Sequence, residues 1–424
     1  MLKMKKVNTV LYLPIEIKSR ELDAKLLLAY YAVKENYRVI IGEHKAVETA
    51  LHHFPKGIFF SKGYPERIRK RMLTSTKRLG HTLVELDEEG LIIPDKTAYL
   101  SDRMNKGILR LVEQEYCWGE YQQNIISAAY PGEKDKCYAV GNPRFDLLQE
   151  KFRRLYEEKA NSLRTKHGEF ILINTRFSLY NHRRGKKKGT SNPSSLYIKK
   201  LYYSFITLIR RISEKYPSVP IIIRPHPTEN VQSYRKALSN CENVKIIQAG
   251  NVIHWILASR LVIHNGCTTG IEAALLGKPV ISYMPFKSGK YDVDLPNEVS
   301  LIASTEKDLF SFIDSYYDTQ NSDHTTERLR STSLPEYYAG VKKGFAYKDI
   351  IHLLNKLKVK SPPLDQEPPS LKPEKKDKIK YRFPYLRKEE IVYFFSKLDE
   401  IEQSSSSNVN IRELTANLFE LRSD

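Results

Sequence analysis

YRVIIGEHKAVETALHHFPKGIFFSKGYPERIRKRMLTSTKRLGHTLVEL, residues 37–86, decides the fold. Three short apolar runs, YRVIIG (37–42), GIFFS (57–61) and HTLVEL (81–86), are separated by amphipathic stretches near 45–53 and 65–79. Runs this apolar need cover on both faces, and parallel strands need long crossovers, so the rhythm predicts a parallel sheet clothed by helices. Working outward, VNTVLYL (7–13) adds a strand and 19–35 a helix, a helical stretch is expected around 105–129, and KCYAVG (136–141) reads as the last strand. Residues 147–166 look like a charged connecting helix, after which the rhythm restarts with EFILINT (169–175). VPIIIRP (219–225), NVKIIQ (243–248), RLVIHN (260–265) and KPVISYM (278–284) follow, with helices expected near 195–215, 229–239, 251–258 and 269–276.

The fold class expected is therefore α/β, with two Rossmann-like doubly wound domains, 1–150 and 165–350, facing a cleft. Beyond them Pro and Lys crowd residues 358–387, which read as a tether. Residues 388–401 and 410–423 carry apolar side chains at helical spacing, so 388–424 is expected to be a helical tail that docks on the body, a partner or a membrane.

A chain of 424 residues with 41% hydrophobic content can fill more than one core. Its net charge of +19 suits polyanions, nucleotide-activated substrates or an anionic membrane surface. Nucleic acid is not the expected partner, because neither an RNP-like aromatic motif nor a helix-turn-helix occurs. Cys117, Cys137, Cys241 and Cys267 show no CxxC spacing, which argues against a zinc knuckle or disulfide framework and for a reducing, cytoplasmic setting. The apolar run after MLKMKK is too short for a bilayer span of roughly 20 residues.

Ligands of doubly wound sheets bind outside the carboxyl ends of the strands, so residues there matter most. In Ile223-Arg224-Pro225-His226-Pro227-Thr228, a strand delivers a cation and an imidazole to that end. An anion would be well placed there, although two prolines that merely stop a strand would read the same. The next strand runs into His264-Asn265-Gly266-Cys267-Thr268-Thr269-Gly270-Ile271-Glu272. Two hydroxyls and the backbone N–H groups of a helix N-terminus make a phosphate cradle, while Thr269-x-x-Glu272 also fits a capping box. In the first domain Asp87-Glu88-Glu89-Gly90 follows a strand. Three adjacent acids repel one another, which would raise the pKa of a buried member and suit it to accept a proton; a solvated acidic turn is the alternative. Glu16 and Arg20, after the first strand, would sit at the cleft mouth, or else belong to a charged helix start with Ser19 as N-cap. The basic run Asn181–Lys188 could clamp an anion or simply be solvated. No HxxH or CxxC pair suggests a metal.

Arg-Pro-His-Pro, then Asn-Gly-x-Thr-Thr-Gly-x-Glu-Ala and Gly-Lys-Pro-Val (277–280), resembles the GT-B glycosyltransferases that use CMP-activated ulosonic acids, the bacterial sialyltransferases and Kdo transferases of capsule and surface-polysaccharide synthesis. The resemblance covers about residues 8–345 and rests on the order and spacing of the motifs. It implies that His226 and Pro227 hold the CMP moiety, that Thr268 and Thr269 hold the donor phosphate, and that Glu272 meets a ribose hydroxyl. Arg224, Asn265 and Gly266 complete the implied donor site. An acidic pair before glycine is the family's catalytic motif, which makes Asp87, Glu88 and Glu89 the candidates for base or nucleophile. The first strand's end, with GNPRFD, is similar to proteins described only as surface carbohydrate biosynthesis proteins; Glu16, Arg20, Asn142 and Arg144 would then meet the acceptor. The activity implied is transfer of a Kdo-like or sialic-acid-like sugar from CMP to a surface glycan or its lipid-linked precursor, with no cofactor or metal, at the inner face of the cytoplasmic membrane. A UDP-sugar 2-epimerase or polyol-phosphate transferase shares the fold, and a non-catalytic scaffold is a rival of another class.

Overall fold

A computed structural model describes residues 9–183, 192–318, 329, 332–359, 382–404 and 409–423. The basic run after Arg183 and the tether residues 360–381 lie outside the described residues. The chain forms two compact units, Met1–Leu147 with Pro335–Asp424, and Leu148–Leu334.

The first unit's parallel strands are β1 (Val10–Ile15), β2 (Arg38–Glu43), β3 (Gly57–Ser61), β4 (Thr82–Leu86), β5 (Gln114–Cys117) and β6 (Cys137–Ala139), laid side by side in the order β2-β1-β3-β4-β5-β6. Strands β1 to β3 are buried along their whole length, as covered parallel strands must be. Strand β5 falls inside the stretch 105–129 that was expected to be helical. Its sequence, QEYC, has no apolar run to announce it, and the buried side chains of Gln114 and Glu115 are polar. The helices there are the shorter Lys106–Leu109 and Glu120–Ala129.

The second unit holds β7 (Ile171–Thr175), β8 (Ile221–Pro225), β9 (Val244–Ile246), β10 (Leu261–His264), β11 (Val280–Tyr283) and β12 (Leu301–Ala303) in the order β12-β11-β10-β7-β8-β9, with every neighbouring pair parallel. Counted from β7, that is the Rossmann order 3-2-1-4-5-6. Ile221, Ile222 and Ile223 are wholly buried, each contributing about 1.5–3 kcal/mol of burial free energy. The order reverses between β7 and β10 here, and between β1 and β3 in the first unit. Those two points position the candidate sites.

The tail corrects the expectation of two helices. Lys388–Glu402 is a helix, but 409–423 is a β-hairpin of β13 (Val409–Thr415) and β14 (Leu418–Ser423), and β14 pairs antiparallel with β2. Ile411, Leu418 and Leu421 follow a helical spacing, and the consecutive buried residues 418–421 leave no strand alternation to read. Asn417, in the left-handed region at φ 66°, turns the chain instead, and its carbonyl accepts from Glu43 N. Gly42 is required at that contact, since a Cβ there would lie 2.1 Å from Asn417 O. The tail helix packs on the helix Lys18–Lys34 through Lys18 to Glu390 (2.8 Å), Tyr30 to Asp399 (2.6 Å) and Tyr31 to Glu402. The tail is thus part of the first unit's body.

A second boundary also moves. The expected second domain ended at 350, whereas Pro335 onward belongs to the first unit. Buried Asp146 explains this: its carboxylate accepts from Ala346 N (2.9 Å) and Tyr347 N (2.8 Å), holding the start of the helix Ala346–Leu354. No helix among the described residues is long and apolar enough to cross a membrane.

Candidate functional site

In the first unit, the loops after β1, β3 and β4 bring charges of both signs together at the strand-order reversal. Lys62, after β3, donates to Glu16 (2.8 Å) and Glu21 (2.9 Å), and Arg382 of the tail also pairs with Glu16. Glu21 in turn accepts from Glu16 N at 2.8 Å, which fixes the turn into the helix Lys18–Lys34. Sequence reading missed Glu21, Lys25 and Lys62, because buried charges at these spacings look like ordinary surface.

The acidic motif divides into three environments. Asp87 is buried, accepts from Arg103 on both carboxylate oxygens, and its carbonyl accepts from Trp118 Nε1 (2.7 Å), so it is a structural anchor. Glu88 is also buried, against Lys25 (3.1 Å) and the Asn142 amide (3.3 Å). Glu89 is half exposed and pairs with Arg20 at 2.7 Å. The expected raising of pKa by mutual repulsion is overturned. Burial alone would raise the Glu88 carboxyl, but Lys25, Arg144, Lys62 and Arg20 outweigh it and hold the group well below its ordinary range. Glu89 is likewise lowered, burial being opposed chiefly by Arg20. Glu89 is the acid of this motif that can meet a ligand as a carboxylate.

Asn142 and Arg144 were expected to be acceptor or cleft residues. Both are buried; Asn142 caps the short helix Pro143–Asp146 and touches Glu88, and the Arg144 guanidinium lies 5.4 Å from the Trp118 ring. They support Glu88 from inside, Asn142 through its amide and Arg144 through its charge.

In the second unit, Glu229 organises the loops after β7 and β8. Wholly buried, it accepts from Thr175 Oγ1 (3.1 Å), Phe177 N (2.9 Å), His226 N (3.3 Å) and the Tyr234 hydroxyl. Burial raises its carboxyl, opposed by those bonds. His226 is half buried, and its Nδ1 accepts from Thr228 N (3.3 Å) beside Thr228 Oγ1 (2.8 Å), which places the proton on Nε2. Pro227 is exposed. Arg224, expected to meet the donor, is buried over the Trp255 ring and donates to the carbonyls of Ala249 (2.7 Å) and Gly250 (2.9 Å). Desolvation lowers it to about 9. Its fork is engaged in shaping the loop after β9.

At the switch point, Asn265 Oδ1 accepts from Arg176 N at 2.9 Å, tying the β7 and β10 loops. The Arg176 guanidinium has no protein partner among the described residues, so it is a cation available to a ligand. Sequence reading missed it although it directly follows the strand EFILINT. Buried His264 accepts from Gly266 N (3.0 Å) and Cys267 N (3.3 Å) on Nδ1 and meets Ser300 Oγ (2.8 Å) through Nε2; desolvation lowers it to about 3, so it is neutral. Those two N–H groups are therefore spent on His264, contrary to the free N–H cradle expected there.

What remains for an anion is the helix Thr268–Leu275 itself. Cys267 is its N-cap and makes no side-chain cap bond, so Thr269 and Glu272 do not form the anticipated capping box. Thr268 and Thr269 are the first two helical residues, whose N–H groups have no intrahelical acceptor, and Thr269 Oγ1 is buried without a partner. Glu272 is buried one turn further along. The arrangement can bind phosphate oxygens through helix-end N–H groups, a hydroxyl and a guanidinium. Among the described residues no group of three or more His, Cys, Asp or Glu side chains is placed to hold a metal ion.

No protein-family model matches the chain, and no curated protein matches it in sequence. Solved structures do match in fold. UDP-GlcNAc 2-epimerase from Neisseria meningitidis, bound to UDP-GlcNAc, is 14% identical, with 82% of this chain and 100% of that chain covered and a TM-score of 0.52. The epimerase from Methanocaldococcus jannaschii is 12% identical, with 82% and 99% covered and a TM-score of 0.50. The wall teichoic acid polymerase TagF, as the H444N protein soaked with CDPG, is 13% identical, with 83% and 88% covered and a TM-score of 0.52. At these identities the likeness establishes the two-domain GT-B fold.

Proposed function

We propose that the protein is a GT-B enzyme that uses a nucleotide-activated donor, bound by the second unit, and that it transfers a CMP-activated 3-deoxy-ulosonic acid, Kdo-like or sialic-acid-like, to a surface polysaccharide or its lipid-linked precursor. The observation that carries the reading is the Arg176 guanidinium at the β7–β10 switch point, which has no protein partner among the described residues, on the unit whose helix Thr268–Leu275 begins with N–H groups lacking an intrahelical acceptor and with the buried Thr269 hydroxyl, unsatisfied among the described residues. His226, oriented through Nδ1 by Thr228, lies on the neighbouring loop. Positive groups here stabilise charge growing on the departing phosphate. Glu89 supplies the carboxylate that takes the acceptor's proton or attacks the anomeric carbon, with Arg20 keeping it ionised. The order of the His-Pro and Thr-Thr motifs favours CMP over other nucleotides.

A second reading, a UDP-sugar 2-epimerase or polyol-phosphate transferase, is favoured by the fold likeness to the epimerases and to TagF. Calorimetric titration with CMP, CDP, UDP and GDP separates the two. The first reading expects CMP to bind and Arg176→Ala and Thr269→Val each to weaken it about tenfold, as loss of one charge-assisted or hydroxyl bond does. Binding confined to UDP, with turnover of a UDP-sugar, moves the assignment to the epimerase; no nucleotide binding at all removes both and leaves a scaffold.

A further inference from the structure

We propose that a tyrosine-walled groove on the second unit, separate from the donor corner, binds an anionic oligosaccharide. Between the helices Pro193–Lys215 and Val231–Ala237 lies a cavity of about 610 Å³. Tyr180, Tyr202 and Tyr203 wall it, Arg210 and Lys236 stand at it, and no carboxylate is among its lining residues. Neither Arg176, His226, Thr268 nor Thr269 lines it. The loop after β7 separates the two places, with Ser178 bonded toward His226 and Tyr180 turned to the groove.

The three rings are held before any ligand arrives. The Tyr180 and Tyr203 hydroxyls are 2.8 Å apart, and the Tyr203 ring lies 5.4 Å from Tyr202 at 80° and 5.8 Å from Tyr180 at 54°. Yet Tyr203 is 53% exposed. A fixed, half-open tyrosine offers a flat apolar face and a polar rim at little entropic cost, which suits a pyranose, apolar on its C–H face and hydroxylated at its edge. Asn230 uses its Oδ1 to cap the helix Val231–Ala237, and its side-chain amide has no acceptor among the described residues.

Size and charge narrow the occupant further. Tyr203 and Thr207 also line an adjoining hollow of about 480 Å³ that contains Lys199 and Lys200. Its single carboxylate, Glu306, is paired with Arg211 at 3.1 Å. Two hollows sharing a tyrosine ridge fit an extended chain better than one small molecule, and the cations, without a carboxylate partner among the described residues, select a chain with carboxylates. A mixed polar lining suits a glycan better than acyl chains.

The inference stands whether or not the nucleotide assignment does, and it is tested by fluorescence anisotropy of the full chain in about 0.1 M salt, where exposed charges more than ~10 Å apart are screened. The probes are labelled hexagalacturonate, maltohexaose, dextran sulfate and vesicles of phosphatidylcholine with phosphatidylglycerol. Hexagalacturonate is expected to bind, and maltohexaose at least about tenfold more weakly. Tyr203→Ala should weaken hexagalacturonate about tenfold, as truncation of an anchoring aromatic does, and Tyr203→Phe by less than about threefold. Arg210→Gln with Lys236→Gln should weaken it about tenfold through lost charge. An unchanged melting curve and circular dichroism spectrum confirm that these surface variants fold. Equal binding of hexagalacturonate by wild type and Tyr203→Ala, equal response of dextran sulfate and hexagalacturonate to every variant, or binding of vesicles without the oligosaccharide would each overturn the proposal.

Discussion

Replacing His264 with Asn and with Gln separates the two nitrogens of the ring that holds the second unit's turn. Nδ1 accepts from Gly266 N and Cys267 N, and Nε2 reaches Ser300 Oγ, which donates on to Pro296 O. The Asn amide oxygen lies near the position of Nδ1, so His264→Asn keeps the acceptor and gives up the Ser300 bond and some ring volume, at about 1–2 kcal/mol. His264→Gln reaches Ser300 but leaves two buried N–H groups without an acceptor, at about 1–3 kcal/mol each. Gly270 abuts the ring, where a Cβ would sit 2.4 Å from Nε2, so nothing on that side can move in to help. Native-state hydrogen exchange should therefore accelerate at the Gly266 and Cys267 amides by about 30- to 25,000-fold in His264→Gln and by about 5- to 30-fold in His264→Asn. Nucleotide binding should fall in the same order, because the same turn starts the helix Thr268–Leu275. The acid response adds a second measure. Desolvation puts the folded-state pKa at about 3, below the ordinary 6.5, so the stability this group contributes is complete above pH 6.5 and is lost as pH falls toward 3. The slope is about 1.4 kcal/mol per pH unit at most, and it should vanish in His264→Asn. Equal exchange in the two variants, the reverse order, or an undiminished acid slope in His264→Asn would refute the account.

Glu115→Gln should change stability near pH 7 by less than about 1 kcal/mol, because burial and nearby Glu85 raise the Glu115 carboxyl well above its ordinary range and so favour its uncharged form, whereas Glu85→Gln, which removes the buried partner of Arg69, should cost about 3–5 kcal/mol. Urea melts measure both, and the wild type's loss of stability as pH rises above the ordinary Glu range should flatten in Glu115→Gln, since a raised carboxyl is costly only where the unfolded group ionises and the folded one does not. Asp146→Ala should cost about 2–4 kcal/mol by orphaning Ala346 N and Tyr347 N and should speed limited proteolysis between Pro335 and Leu354. Glu89→Gln should lower product formation by about a hundredfold or more with the melting temperature unchanged, whereas Asp87→Asn, which breaks the Arg103 fork, should lower the melting temperature; the opposite pattern would assign the chemistry to Asp87.

Much of the fold is written as local periodicity. β1 to β4, β7, β8, β10 and β11 coincide with apolar runs, because a covered parallel strand must be apolar on both faces. Strand β5 is not so written: Gln114 lends its amide to Leu353 O and Glu115 lies in the Arg69 cluster, so polar side chains fill interior positions that only distant partners make tolerable. The hairpin 409–423 failed for another reason. Ile411, Leu418 and Leu421 follow a helical spacing, and the strand is imposed instead by the antiparallel edge that β2 offers and by the turn at Asn417.

The candidate site shows the same division. That strand ends carry His226, Asn265, Thr269 and Glu89 was legible from the chain alone, since doubly wound sheets bind ligands there. Which of these groups are open to a ligand was not. Arg224 and Arg176 look equally cationic in sequence, yet one is folded onto Ala249, Gly250 and Trp255 and the other has no partner among the described residues. Asp87, Glu88 and Glu89 are consecutive, yet they end up as an anchor, a buried ion pair and a half-exposed carboxylate. Sequence by itself determined the succession of strands and helices, because hydrophobic burial is periodic along the backbone. Only the tertiary structure decided which charges are spent, because desolvation and pairing depend on neighbours that lie tens to hundreds of residues away.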